Sequence, residues 1–414
     1  MTTGNRIVLV GLKNVLHERA LSRQVSAFTR GFPECKVNVT LYDFTELYDR
    51  LILKREILSD RCDVALILTE WLPSILRHNA LLPLNSYMAA DPPEDWPVGW
   101  SKSILGLQRD AQGNFYGLPY DDGPILLFYR KDLLEDHHEQ EQFRSKLGRP
   151  LQVPNTWSEF LQVAQHFTKP DECLFGTCLA ARPDGHDNVH GFLVQLFSRG
   201  GHLLDANIRP VFNSEEGVQG LQFYCDLISR FKVTHPDSLN VDSTGVGEAY
   251  SRGEVFMAVD WRNAGSLAEV PEVSRVTGRT GSWIVPKGDG PRGRHVSLGI
   301  YWILAIPRQS KKKDWAYRFV RFMASREMDK ITSLEGANGS RISTWSDKEI
   351  VGRWPFYATF EKAHEDVEYL PQIPEYPKIC EAINDAMHSA LKGSKTARQA
   401  LNDAARDVRS FFRS

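Results

Sequence analysis

The chain has 414 residues, more than twice the common domain length of about 100–150, so two packed lobes are expected. Its 50 basic and 52 acidic residues leave a formal charge of −2, which argues against a broad basic face for nucleic acid. With 42% hydrophobic and 25% charged residues the composition is globular, which excludes disordered and collagen-like classes, and no apolar run reaches the roughly 20 residues of a membrane span.

The chain opens Met1-Thr-Thr-Gly-Asn-Arg and then runs into Ile7-Val-Leu-Val10, which reads as a first β-strand. That run is shorter than the roughly 7–15 apolar residues of a secretory leader. The expectation is therefore either a cytoplasmic protein or a mature form with a replacement Met. An apolar-periodic stretch follows from Val15 to Phe28, with Leu16, Ala20, Leu21 and Val25 on one side. Next come the strand Lys36–Leu41, a helical Thr45–Leu58 and the buried-strand run Val64–Leu68. This β-α-β-α-β order predicts a parallel sheet with helices on both faces. Ligands collect at the carboxyl ends of such strands, which singles out Lys13, Asp43, Glu70 and Trp71.

A second set of elements begins with the strand Ile125–Tyr129. Thr156-Trp-Ser-Glu159 is a capping box, and Asn213-Ser-Glu-Glu216 marks another helix start. Phe256–Asp260 and Ile300–Ile306 read as short buried strands, and helices are expected over Asp314–Ser325, Pro377–Leu391 and Thr396–Phe412. No internal repeat, low-complexity tract or long polar linker is present, so short crossings should join the lobes.

Several motifs have plain structural readings. Gly288-Asp-Gly-Pro-Arg-Gly293 fits G-x-G-x-x-G, but it contains Pro291 and runs into a strand, so a turn-rich hairpin loop is expected and no nucleotide site. His186 and His190, four apart beside Asp187, have the spacing of metal ligands on a helix. Without a cap or apolar periodicity at 182–188 they read as a polar loop. Asp136-His-His-Glu139 reads as a solvated helix end, and Lys311–Lys313 as solvated surface. The six cysteines form no regular framework; Cys173 and Cys178 are either a small disulfide loop or reduced core thiols. No cofactor or metal is implied. A paired-carboxylate glycosidase stays open, because its acids can be far apart in sequence.

The 10 tryptophans divide by position. Trp157 and Trp315 stand in helices and are expected to pack. Trp71, Trp261 and Trp302 lie at or beside strand ends, next to Glu70, the Asp121-Asp122 pair, and the run Asp260–Asn263. Aromatic faces suit the C–H faces of a sugar, and adjacent carboxylates and amides suit its hydroxyls. The pattern points to a carbohydrate cleft.

The sequence resembles the extracellular solute-binding proteins of ABC sugar importers, the group that includes maltose-binding protein. The resemblance rests on Asp63–Pro73 with Leu81–Leu84, on Tyr116–Leu133, Pro154–Phe160, Gly253–Trp261 and Leu298–Ile306, and on Ala316–Ser325 leading to Arg341. It implies a two-lobe α/β fold like that of the periplasmic binding proteins, with a ligand cleft between discontinuous lobes. One lobe would comprise 1–118 plus 262–307, and the other, more helical, 119–261 plus 308–414. Crossings would fall near Leu118–Gly123, near Asp260–Asn263 and around Pro307. It further implies capture of a sugar by hinge closure and delivery to membrane permease subunits by a periplasmic or extracellular monomer without catalysis of its own. By matching positions, Glu70, Trp71, Asp121, Asp122, Trp261, Tyr301, Trp302 and Arg341 would bind ligand, with Asp43, Asn263 and Trp345 beside them. The alternatives are a glycoside-acting enzyme and a cytoplasmic sugar sensor on the same scaffold.

Overall fold

A computed structural model describes residues 5–412. Numbered along the chain, the strands are β1 (Asn5–Leu12), β2 (Cys35–Tyr42), β3 (Val64–Leu68), β4 (Leu118–Asp122), β5 (Leu126–Arg130) and β6 (Phe175–Thr177). They continue as β7 (Val255–Asp260), β8 (Thr280–Trp283), β9 (Ser297–Gly299), β10 (Tyr301–Ala305) and β11 (Val367–Tyr369).

The chain divides into two compact units. The first runs to Gly123, resumes over Gly299–Arg353 and takes in Leu370–Pro374; the second comprises Pro124–Leu298, Trp354–Tyr369 and the chain from Glu375 onward. This differs from the expected lobes at four places, of which 119–123 and 370–374, both in the first unit, are short. Residues 262–298 stay with the second unit, because β8 within them pairs with β5. Residues 308–353 go to the first unit, where Phe319 and Phe322 close edge-on upon Phe28 of the helix Val15–Gly31.

The first unit holds a five-stranded sheet ordered β2-β1-β3-β10-β4. The β1–β2 and β1–β3 pairs are parallel, as the β-α-β pattern predicts. Both pairs made by β10 are antiparallel, so the sheet is mixed. Every residue of β3, β4 and β10 is buried, the mark of strands covered on both faces. The predicted helix over 45–58 is broken instead into Phe44–Tyr48, a wide turn Asp49–Leu53 and a 3₁₀ turn Glu56–Leu58, interrupted where Arg55 adopts φ 56°.

The second unit centres on the sheet β6-β7-β5-β8. The helix Trp157–His166 starts with the expected capping box, and Trp157 is buried with its Nε1 donating to Ser198 Oγ at 2.8 Å. Glu139 is no solvated helix end: it is buried, 2.8 Å from His166 and ion-paired with Lys169. The polar-loop reading of 182–188 is also corrected at its end, since a helix runs over Asp187–Ser198. Its buried Val189, Phe192, Leu193, Leu196 and Phe197 form an amphipathic face that drives it. Gly185, at φ 73°, makes the turn that leads in. Residues 288–293 form a turn with no helix behind it, but β8 and β9 do not pair, so there is no hairpin. All six cysteines are free, with Cys173 exposed and the others buried.

Candidate functional site

In the first unit, the carboxyl ends of β1, β2 and β3 gather an aromatic cluster. Asp43 caps the helix Phe44–Tyr48 by accepting from Glu46 N at 2.8 Å, which fixes two rings on one turn. Trp71 follows β3 in a 3₁₀ turn and meets Phe44 at 5.6 Å, Tyr48 at 5.4 Å and Trp302 at 5.6 Å between ring centres. Trp302 stands opposite Leu68 in β3 and Asp121 in β4, which explains why it lies beside Trp71. Trp71 is only 3% exposed and Trp302 9%, so much of their surface is committed to one another and to their neighbours. Glu70, next to Trp71 in sequence, and Asp122, opposite Tyr301 in the sheet, are both buried.

Asp121 is held from two sides. His17 Nε2, on the helix after β1, pairs with its Oδ2, and Asn338 N donates to its Oδ1 at 2.9 Å. The His17 ring in turn meets Trp302 edge-on at 6.3 Å. Nothing in the local sequence marked His17, because its partner lies 104 residues away.

Three expected ligand residues have side chains bonded within the first unit. The Arg341 side chain is fully buried; its guanidinium donates to Asp95 Oδ2 at 2.8 Å, Ala324 O at 2.8 Å and Glu94 O at 3.1 Å, and lies 4.3 Å from the Trp100 ring centre. It pins the Glu94–Trp100 loop from within. The Tyr301 hydroxyl is turned to Ile104 O and Gln108. Trp345 Nε1 donates to Gly339 O at 2.9 Å. These groups are spent on holding the unit together.

In the second unit, Trp261 and Asn263 follow β7 and are half-buried. Below them lies a chain of buried polar groups. Ser243 N donates to Asp187 Oδ2 at 2.9 Å, Ser243 Oγ to Asp260 Oδ2 at 3.0 Å, and Asn263 Nδ2 to Ser243 Oγ at 3.0 Å. His186 Nδ1 is 3.0 Å from Asp187 Oδ1, and His190 meets Trp261 edge-on at 5.5 Å. A cavity of about 40 Å³ opens here, lined by Asp187, His190, Asp260 and Trp261 against apolar walls that include Trp157 and Tyr224. It has room for a few waters or the tip of a hydroxylated solute.

The two carboxyls are shifted in opposite directions, although burial raises both. Burial opposes ionisation of Asp187, but the hydrogen bond and charge of His186 and the Ser243 N–H outweigh it, leaving its pKa at about 2. Asp260 is pushed well above the usual carboxylate range by burial and then by the charge of Asp187, against the opposing pull of Ser243. Their surroundings therefore favour the charged form of Asp187 and disfavour that of Asp260. The i, i+4 histidine spacing and the Asp260–Trp261 pair were visible in sequence; their meeting with Ser243 was not.

Comparison with known proteins places this geometry in context. A mannitol-binding protein of Pseudomonas aeruginosa is 26% identical over 360 residues, covering 78% of this chain and 77% of its own. A solute-binding protein of Agrobacterium radiobacter, solved with ribitol, superposes with a TM-score of 0.85 at 22% identity over 99% of both chains. A maltose-bound T. maritima protein gives 0.86 at 23% identity over 98% of this chain and all of its own. These likenesses establish the two-lobe α/β binding-protein fold. The model of the bacterial extracellular solute-binding proteins matches residues 14–330, most of the chain, and the chain belongs to that family.

Proposed function

We propose that the protein is the sugar- or polyol-binding component of an ABC importer, taking up its solute by hinge closure and delivering it to permease subunits. The observation that carries the choice of ligand is the second unit's cavity, where Trp261 and His190 stand over the Asp187–Ser243–Asp260 chain. An indole face beside paired carboxyls is what a polyhydroxylated solute needs: apolar area for C–H groups, and acceptors and donors for O–H groups. The mannitol-, ribitol- and maltose-binding relatives point the same way. Glu70, Trp71, Asp122 and Trp302 are the proposed ligand residues of the first unit, with Asp43 and Asp121 positioning them. Trp261 and Asn263, joined by Asp187, Asp260 and His190, are those of the second. The protein acts as a monomer, without catalysis, in the periplasm or outside the cell. The family is extracellular, and among the described residues no helix is long and apolar enough to cross a membrane.

A thermal-shift screen against sugars, alditols and amino acids tests the reading. A ligand at a hundred times its Kd adds about 2.7 kcal/mol to the folded state, so sugars or alditols should raise Tm by several degrees. A shift with amino acids or peptides and none with any sugar or alditol refutes the proposal.

A further inference from the structure

We propose that the second unit's cavity selects uncharged polyhydroxyl solutes and rejects their anionic counterparts, with Asp187 and Asp260 as the discriminating side chains. The inference rests on the sugar- or polyol-binding reading and adds a charge rule to it.

The cavity lining contains two carboxyl groups and, among the described residues, no lysine or arginine. Both carboxyls are fixed in place through the same residue, Ser243, which gives its N–H to Asp187 and its hydroxyl to Asp260. Asn263 holds the Ser243 hydroxyl oxygen and so sets the direction of that bond. Other titratable groups surround the pair. His186 and His190 face it from the helix Asp187–Ser198, Asp242 from the turn before the helix Ser243–Ser251, and Cys178 from the end of β6. Arg182 is drawn away to Asp242 at 2.7 Å, and Arg262, two residues from Asp260, is not part of the lining. A carboxylate or phosphate entering the cavity would therefore lose water beside two carboxyl groups, with no lysine or arginine in the lining to receive it.

A cationic solute is not favoured either. The charge of Asp187 is already met by His186 and the Ser243 amide, and the carboxyl of Asp260 favours its neutral form. The pair thus offers acceptor oxygens, and in the acid form that burial favours for Asp260 also an O–H. That matches a hydroxyl, which donates and accepts at once, and it matches neither an ammonium nor a carboxylate.

The test is titration calorimetry at pH 7 on the whole protein with three matched pairs: D-mannitol and mannonate, ribitol and ribonate, maltose and maltobionate. An aminoalditol, 1-amino-1-deoxymannitol, is added as the cationic arm. At least one neutral compound should bind, and its oxidised partner should bind about a hundredfold more weakly, the scale of a buried like-charge encounter. The amine should bind no tighter than the alditol. Asp187→Asn should bring the neutral-to-anion ratio below about tenfold, and Asp260→Asn, which removes the second carboxyl, should lower that ratio as well. An anion bound within threefold of its neutral partner, or an amine bound more tightly than the alditol, overturns the charge rule while leaving the sugar or polyol reading intact. Binding of none of the neutral compounds sinks the reading and the rule with it. The wild-type comparison needs no variant, so misfolding of either substitution does not blunt it.

Discussion

Replacing Arg341 with methionine separates a structural arginine from a ligand-binding one. The side chain is fully buried, and its loss removes two hydrogen bonds to main-chain carbonyls, one to Asp95 and a ring contact with Trp100. Bonds from a charged donor to a carbonyl contribute about 1.5 kcal/mol each. The cation–ring contact adds about 1 kcal/mol. The Asp95 pair counts for less, about 0.5 kcal/mol, because the Asp95 side chain is 28% exposed and screened. The sum is about 4.5 kcal/mol, less what methionine recovers by filling the stem's volume, so a loss of about 3–4 kcal/mol is expected. At about 2–4 °C per kcal/mol for a unit of this size, Tm should fall by roughly 10 °C. Scanning calorimetry measures the fall, and titration of the best sugar or alditol well below the melt measures affinity. Affinity should stay within about threefold of wild type. An unchanged Tm with affinity weakened tenfold or more would show that the guanidinium touches ligand and that its assignment to the Glu94–Trp100 loop is wrong.

Trp261→Ala should weaken binding by about 1–3 kcal/mol, or roughly 5- to 150-fold in Kd, with little change in the unliganded melt; undiminished affinity removes Trp261 from the site. Asp260, with its pKa raised by burial and by Asp187, costs stability progressively as pH rises above the ordinary carboxylate value of about 4. Asp260→Asn should therefore match wild type near pH 4 and exceed it at pH 8 in denaturant midpoint. Asp187, depressed to about 2, contributes stability that is present above pH 4 and lost between about 4 and 2. An Asp187→Asn variant should lose less stability than wild type over that interval. Native protein at pH 8 should label one thiol rapidly, Cys173, while the buried remainder react only after unfolding; burial pushes Cys62, Cys178 and Cys225 up to about 12. Fast labelling of two or more thiols, or of none, contradicts this arrangement.

What could be read from sequence was local. The order of β1 to β3 follows from apolar runs separated by an amphipathic helix, and the capping box at Thr156 is four residues long. The position of β10 was not readable, because its pairing with β3 joins residues more than 200 apart. Arg341 shows the limit from the side of the site. An arginine in sequence is a charge that suits a ligand; only the fold reveals that Asp95 and two carbonyls already occupy it. His186 and His190 have the spacing of one helix face, but no cap in the sequence marks that helix, which begins after Gly185 with no Ser or Thr to announce it. The Asp187–Ser243–Asp260 chain draws three positions together across more than 70 residues, and no periodicity encodes that.

The place of β10 has a consequence for how the protein is made. Its two neighbours, β3 and β4, are complete once residue 122 is synthesised, but the strand that belongs between them ends at residue 305, about 180 residues later. At about 5–20 residues per second, the ribosome leaves that gap open for roughly 10–40 s. During this interval the facing edges of two strands that end up fully buried, Val64–Leu68 and Leu118–Asp122, lack the strand that pairs with both. Such edges recruit other chains. Slowing translation between residues 123 and 305 should therefore raise the yield of aggregate more than slowing it after residue 305.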